Sequence, residues 1–171
     1  MKVYYNLTEL NEEVKASIRN IGFSSDMLND KGLGRMFSEV FKKVLRYNPK
    51  SKSWYCYNGM VWKEDLEELS AKYFAKIFSD ELLAYCEELS LDAKTMAKVQ
   101  GLSSMSKRNT IINDARCECP LEMDELDADI NLLNCKNGTL NLKTFELQPH
   151  NADDLLSKIT NVKYDPHAKC E

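Results

Sequence analysis

Glycine is scarce in this chain, six in 171 residues, and none of the six opens a Gly-x-x-x-x-Gly-Lys-Ser/Thr loop. That loop is how a strand-to-helix turn cradles nucleotide phosphates, so a phosphate-loop ATPase is excluded from these residues. Gly32-Leu33-Gly34 lacks the third glycine and the preceding strand of a dinucleotide fingerprint, and reads as a helix start. Histidine is scarcer still. His150 and His167 have no serine or cysteine at a spacing that marks a nucleophile and its base. The cysteines, at 56, 86, 117, 119, 135 and 170, form no Cys-x-x-Cys pair, and no histidine set completes a zinc site with Cys117-Glu-Cys119. Such irregular spacing is the habit of reduced thiols in a cytosolic protein. No stretch approaches the ~20 apolar residues of a membrane span. The opening residues carry Glu9, Glu12 and Glu13 where a signal peptide would be apolar. A cytoplasmic location is therefore expected.

What remains is an ordinary globular mixture, 43% hydrophobic and 29% charged, in a length that suits one domain with a real core. The net charge of -4 hides alternating blocks. Residues 31–52 hold seven Lys/Arg against Glu39 alone, 64–92 are acidic, 94–116 are basic again, and 118–129 are acidic. Basic blocks in an acidic chain either touch phosphates or pair with the acidic blocks.

Leu10, Val14 and Ile18 mark one face of a short N-terminal helix that Thr8 would cap, followed by a linker at 24–31. Leu33, Met36, Phe37, Val40, Phe41, Val44 and Leu45 keep helical spacing until Asn48-Pro49. The period then changes. Asn58-Gly59 signals a two-residue hairpin turn that sets Tyr57 against Met60 and Tyr55 against Trp62. A long apolar stripe, which includes Leu66, Leu69, Tyr73, Phe74, Phe78 and Leu89, predicts the next helix. Another runs from about Ser90 or Asp92 to Arg116, with a break near Gly101. Beyond Pro120 an acidic link leads to a hairpin at Asn137-Gly138. Leu140 and Leu142 face inward, a second turn falls at Lys143-Thr144, and Leu147 returns. Asn151 caps a last short helix, and 159–164 is expected to be a strand.

Two kinds of residue are candidates for nucleic-acid contact. Arg35, Lys42 and Arg46, seven and four apart, would form one stripe on the second helix, with Lys43, Lys50 and Lys52 adding positive potential and Glu39 weakening it. Lys107-Arg108 is a separate basic site. Trp54 and Trp62 could stack unpaired bases, although core packing is the ordinary reading of such aromatics. Asp127-Ala128-Asp129 admits two readings. One is a solvated acidic turn; the other is the Mg²⁺-holding carboxylate pair of a primase or nucleotidyltransferase.

Leu132-Leu133-Asn134, Asn137 to Leu142, Pro149-His150, Tyr164-Asp165-Pro166 and Cys170 follow one another in a distinctive order. That order resembles the domain just upstream of the superfamily-three helicase in phage and plasmid primase–helicases and in the poxvirus primase–helicase. Asp30-Lys31-Gly32 followed by Arg35, and the Trp…Gly…Trp hairpin of 54–62, fit the same family. Three positions depart from it. Thr144-Phe145 stands where the family has Thr-Gly, Asn141 where it has Asp, and Glu171 where Pro follows the cysteine. Phenylalanine disfavours positive φ by roughly 1–2 kcal/mol, so a different turn is expected there.

The pattern itself reads as an α+β, mainly helical domain with two short β-hairpins, and the resemblance covers residues 26–171 of it. That part would be preceded by a segment, 1–25, that is a linker or a short helix. The resemblance implies a non-catalytic accessory role in mobile-element DNA replication, coupling primase to helicase. The partners would be the primase and helicase domains of one longer protein, a hexameric assembly, and single-stranded or duplex DNA. ATP and Mg²⁺ would belong only to a helicase beyond this chain, which would make the chain a truncated piece. The alternatives are a catalytic fragment built on Asp127 and Asp129, or a purely structural oligomerisation collar.

Overall fold

A computed structural model of the chain describes residues 7–168, with side chains from residue 10 onward. The periodicity of Leu10, Val14 and Ile18 produces helix α1 (Leu7–Ile21), and all three residues are buried. The Thr8 side chain expected to cap it lies outside the described residues. A short 3₁₀ turn follows within the stretch read as a linker, and α2 (Asp30–Phe41) starts on Asn29, whose side chain accepts the Gly32 N–H at 2.9 Å.

The helix stops four residues earlier than its spacing suggests. Val44 closes a tight turn on Phe41, and the chain becomes strand β1 (Leu45–Asn48). Leu45 and Tyr47 satisfy a period of two as well as a helical one, and pairing with β2 (Ser53–Tyr57) decides between them. Asn48, fully buried, accepts the Ser51 N–H and donates to the Leu121 carbonyl, so Asn48-Pro49 shapes a strand turn.

β3 (Trp62–Glu64) completes a three-stranded antiparallel meander in the order β1-β2-β3. Its register differs by two residues from the expected one: Tyr57 faces Trp62 and Tyr55 faces Glu64. The Asn58 carboxamide accepts the N–H groups of both Met60 and Val61, while the Asn58 N–H donates to Val61. Those bonds favour a four-residue loop over a two-residue turn.

Helix α3 (Leu69–Glu88) is capped at a distance. Glu67 and Glu68 take left-handed conformations, which brings the buried Asp65 carboxylate onto the N–H groups of Ser70 and Ala71, each at 2.9 Å. The expected break near Gly101 is present: α4 (Ala93–Gln100) passes through a 3₁₀ turn into α5 (Met105–Ala115). Gly34 lets α2 and α5 lie close, since a Cβ there would meet the Asp114 Cβ at 2.8 Å and the Ala115 nitrogen at 3.1 Å. Phe37, Phe41, Phe74 and Phe78 interlock at the centre, with ring centroids 4.8–5.7 Å apart. The buried residues of α1 belong to this same apolar cluster.

After α5 the chain returns along the outer edge of β1, where Tyr47 and residues 119–121 exchange backbone bonds of 2.9 Å. A second three-stranded antiparallel meander follows: β4 (Leu132–Cys135), β5 (Gly138–Asn141) and β6 (Leu147–Gln148). The class is α+β and mainly helical; β1 adds a third strand to the first expected hairpin, and in the second sheet the strand expected at Leu147 is present as β6. The first turn is centred one residue earlier than Asn137-Gly138, because Gly138 already pairs with Cys135. Gly138 sits at φ +147, and a Cβ there would lie 2.4 Å from the Gln148 carbonyl oxygen.

Phe145 adopts φ +59, the left-handed conformation that phenylalanine disfavours. Asn141 compensates. Its carboxamide accepts the N–H groups of Lys143 and Thr144, and its carbonyl accepts that of Phe145. Leu140 is buried as expected, but Leu142 is exposed. Residues 159–164 form no strand. They run beside β4 through Thr160 N–H to Asn134 and Lys136 N–H to Val162, and then the Asn137 side chain takes both backbone groups of Tyr164. Asn151 caps a 3₁₀ turn, Ala152–Asp154.

Candidate nucleic-acid interface

The basic residues that the sequence places on one helical stripe do not share one. Because α2 ends at Phe41, Arg35 lies on the helix, Lys42 and Lys43 on the turn after it, and Arg46 on β1. Arg35 is exposed, with its Nε 3.6 Å from Glu118. Lys42 pairs with Glu39, and the Arg46 Nε donates to the Lys42 carbonyl at 2.9 Å. That bond folds Arg46 back against the turn, so Lys42, Lys43 and Arg46 make one positive corner. Lys43 is exposed and enters no ion pair among the described residues. The α2–β1 turn also walls a cleft against α1, about 490 Å³ and lined by Val14, Glu39, Lys42 and Lys43 among others.

Lys107 and Arg108 open α5 on another part of the surface. Lys107 lies 3.7 Å from Asp30, which ties the starts of α5 and α2 together, and the Arg108 guanidinium donates to the Ser103 carbonyl. Surface pairs at such distances contribute about 0–1 kcal/mol and exchange readily for a phosphate.

Neither tryptophan offers a face to a base. Trp54 is 0% exposed, edge-on to Tyr47 at 5.2 Å; Trp62 is 1% exposed, against Tyr57 at 5.7 Å. The Trp62 indole N–H donates to Ala152 and its backbone N–H to Leu156, both at 2.8 Å, so Trp62 fastens the first sheet to the C-terminal segment. Stacking at Trp54 and Trp62 is thus corrected to core packing, which wins because each ring buries a large apolar area.

The Asp127 and Asp129 carboxylates are engaged separately. Asp127 takes a left-handed φ and accepts the N–H and the hydroxyl of Ser157, with the Lys158 ammonium 3.4 Å away. Burial disfavours its charge, but the Ser157 and Lys158 bonds outweigh it and hold the carboxyl below its usual range. Asp129 accepts the backbone and side-chain N–H groups of Asn131, which likewise lower it. Among the described residues, no three His, Cys, Asp or Glu side chains are placed to hold a metal ion.

Two features were misread or missed in the sequence. Asn134 and Asn137, conspicuous in the C-terminal run, are braces: the Asn134 side chain donates to Met60 at 2.8 Å and Lys158 at 3.1 Å, and Asn137 grips Tyr164. Leu66, Leu69, Tyr73 and Leu89, assigned to the inner stripe of α3, are exposed. Phe74, Ile77, Phe78, Leu82 and Cys86, with the small residues Ala71 and Ala75, fill the inner face, and no periodicity rule separates two apolar stripes on one helix.

Among the described residues, no helix is long and apolar enough to cross a membrane. No curated protein matches the chain. A family model described as D5 N terminal like matches residues 34–171, that is, from within α2 through the second meander. The chain therefore belongs to the D5 N terminal-like family, the domain found N-terminal to the helicase in phage and poxvirus primase–helicases.

Proposed function

We propose that this domain is a non-catalytic accessory part of a phage- or plasmid-type replication primase–helicase. It couples the primase to the helicase of one cytoplasmic protein and contacts DNA through the corner formed by Lys42, Lys43 and Arg46. ATP and Mg²⁺ serve the helicase under this reading, not these residues. The observation that carries it is the family membership over 34–171 together with a positive corner held on a rigid turn. Phosphate contact needs only positive charge on a fixed surface. The engagement of Asp127 with Ser157 and Lys158 supports a bracing role for that carboxylate over a catalytic one.

Fluorescence anisotropy with labelled single-stranded and duplex DNA, at two salt concentrations, tests the reading. Changing Lys42, Lys43 and Arg46 together to alanine lowers affinity on every sequence. The log–log salt slope falls by about 0.7 per lost contact for single strands and about 0.9 for duplex. The melting temperature is unchanged. Unaltered affinity and slope would exclude the corner, leaving Lys107 and Arg108 as the next site to change.

A further inference from the structure

The outer stripe of α3 faces the start of α5 across a groove of about 570 Å³. Leu69 and Tyr73, one turn apart, form one wall; Met105 forms the other, and Ile112 lies between. Exposure is high for apolar side chains, 55% for Leu69, 39% for Tyr73 and 71% for Met105. The remaining charge is all of one sign: Lys72, Lys76 and Arg108 line the groove and no carboxylate does. Lys72 has one distant ion pair, with Glu68 at 4.0 Å, and Lys76 and Arg108 have none among the described residues. Two helical ridges with an apolar floor and cationic rim fit a short segment that is apolar at its centre and acidic around it.

The chain itself carries such a segment. Between Glu118 and Asp129 there are six acidic residues and no Lys or Arg. Glu122, Met123, Asp124 and Glu125 stand exposed on a turn, Met123 at 43%. Among the described residues, the ion pairs of 122–129 reduce to that of Asp127 with Lys158, so this acidic turn does not neutralise the groove of its own chain.

We propose that the α3–α5 groove docks the 122–125 turn of a second copy of this chain. Met123 seats on Leu69, Tyr73 and Met105, and Glu122 and Asp124 face Lys72, Lys76 and Arg108. The two surfaces differ, so the contact is head-to-tail and propagates into a ring or a filament instead of closing as a symmetric dimer. It requires no DNA, and the heavily exposed leucine and methionine favour a protein segment over a phosphate backbone. The proposal stands apart from the Lys42–Arg46 corner.

Sedimentation velocity over a concentration series tests it, at about 50 mM and about 500 mM salt, where charge screening differs several-fold in range. The unmodified chain forms larger species at the lower salt and loses them at the higher. K72E/K76E and E122K/D124K each remain monomeric. Their equimolar mixture regains the larger species, as does one chain carrying all four changes. Thermal melts check that the variants fold. If a charge variant fails to fold, Met105→Ser, at an exposed position, must by itself shift association to higher concentration. A monomer at every concentration overturns the proposal, as does a mixture that fails to reassociate or a Met105→Ser chain that associates normally. A chain that stays monomeric while K72E/K76E loses binding to single-stranded DNA assigns the groove to nucleic acid, and the proposal fails.

Discussion

The helical region and the C-terminal meander are held by different forces. Residues 10–115 share one apolar cluster in which phenylalanine rings from α2 and α3 interlock. Past Asp127, few side chains are fully buried; Cys135, Leu140 and Leu156 are the principal apolar ones. Polar side chains gripping backbone do much of the remaining work: Asp127 on Ser157, Asn134 on Met60 and Lys158, Asn137 on Tyr164. Dispersion and hydrophobic burial spread over many contacts make the first region cooperative. Each polar clip contributes only about 0.5–1.5 kcal/mol net, but leaves a buried group unsatisfied when removed. The second region should therefore open at lower free energy than the first.

Removing the centre of the apolar cluster gives the largest effect. Phe37→Ala, at a fully buried ring touching Phe41 and Phe78, should cost about 3–5 kcal/mol and lower the melting of every signal together. A loss under 1 kcal/mol by denaturant titration would show that the helices do not depend on that cluster. Asn134→Ala is the matching change in the second region. It leaves the Met60 and Lys158 carbonyls without their donor and should cost about 1–3 kcal/mol. Its proteolytic nicking should concentrate in 156–168, and uniform nicking across the helices would erase the distinction between the regions.

Alkaline pH gives the smallest and most selective effect. Burial raises the Cys86 thiol from its ordinary 9.0 to about 11. The unfolded thiol thus ionises first, and stability falls as pH rises from 9 towards 11. Burial, and then the Asp154 charge, raise the Tyr57 hydroxyl from 10.0 to about 12, which prolongs the decline at the junction with the meander. Cys86→Ala should flatten the first part of that pH profile and leave the second. An unchanged profile would place the alkaline loss elsewhere.

How much of this was legible in sequence depends on whether local or distant contacts decide. The break at Gly101, the Asn151 cap and the buried face of α1 are local, and the sequence shows them. The end of α2 is not, because Leu45 and Tyr47 suit both periods and only pairing with β2 selects the strand. That choice also dispersed the basic stripe, moving Arg46 from helix to sheet. The Asp65 cap was hidden because it acts across two left-handed glutamates, and the outer face of α3 because its leucines and tyrosine look like core. Phe145 shows the reverse limit. A propensity rule against positive φ was overruled by bonds that Asn141 supplies.

Hydrogen exchange read by mass spectrometry, with and without single-stranded DNA, tests the division of labour most directly. Helices α2, α3 and α5 should exchange only through global unfolding and 132–164 at lower free energy, while DNA slows exchange in peptides covering 42–48 and leaves 132–164 unchanged. DNA protection confined to the C-terminal meander, or equal protection of both regions in the free chain, would contradict that division.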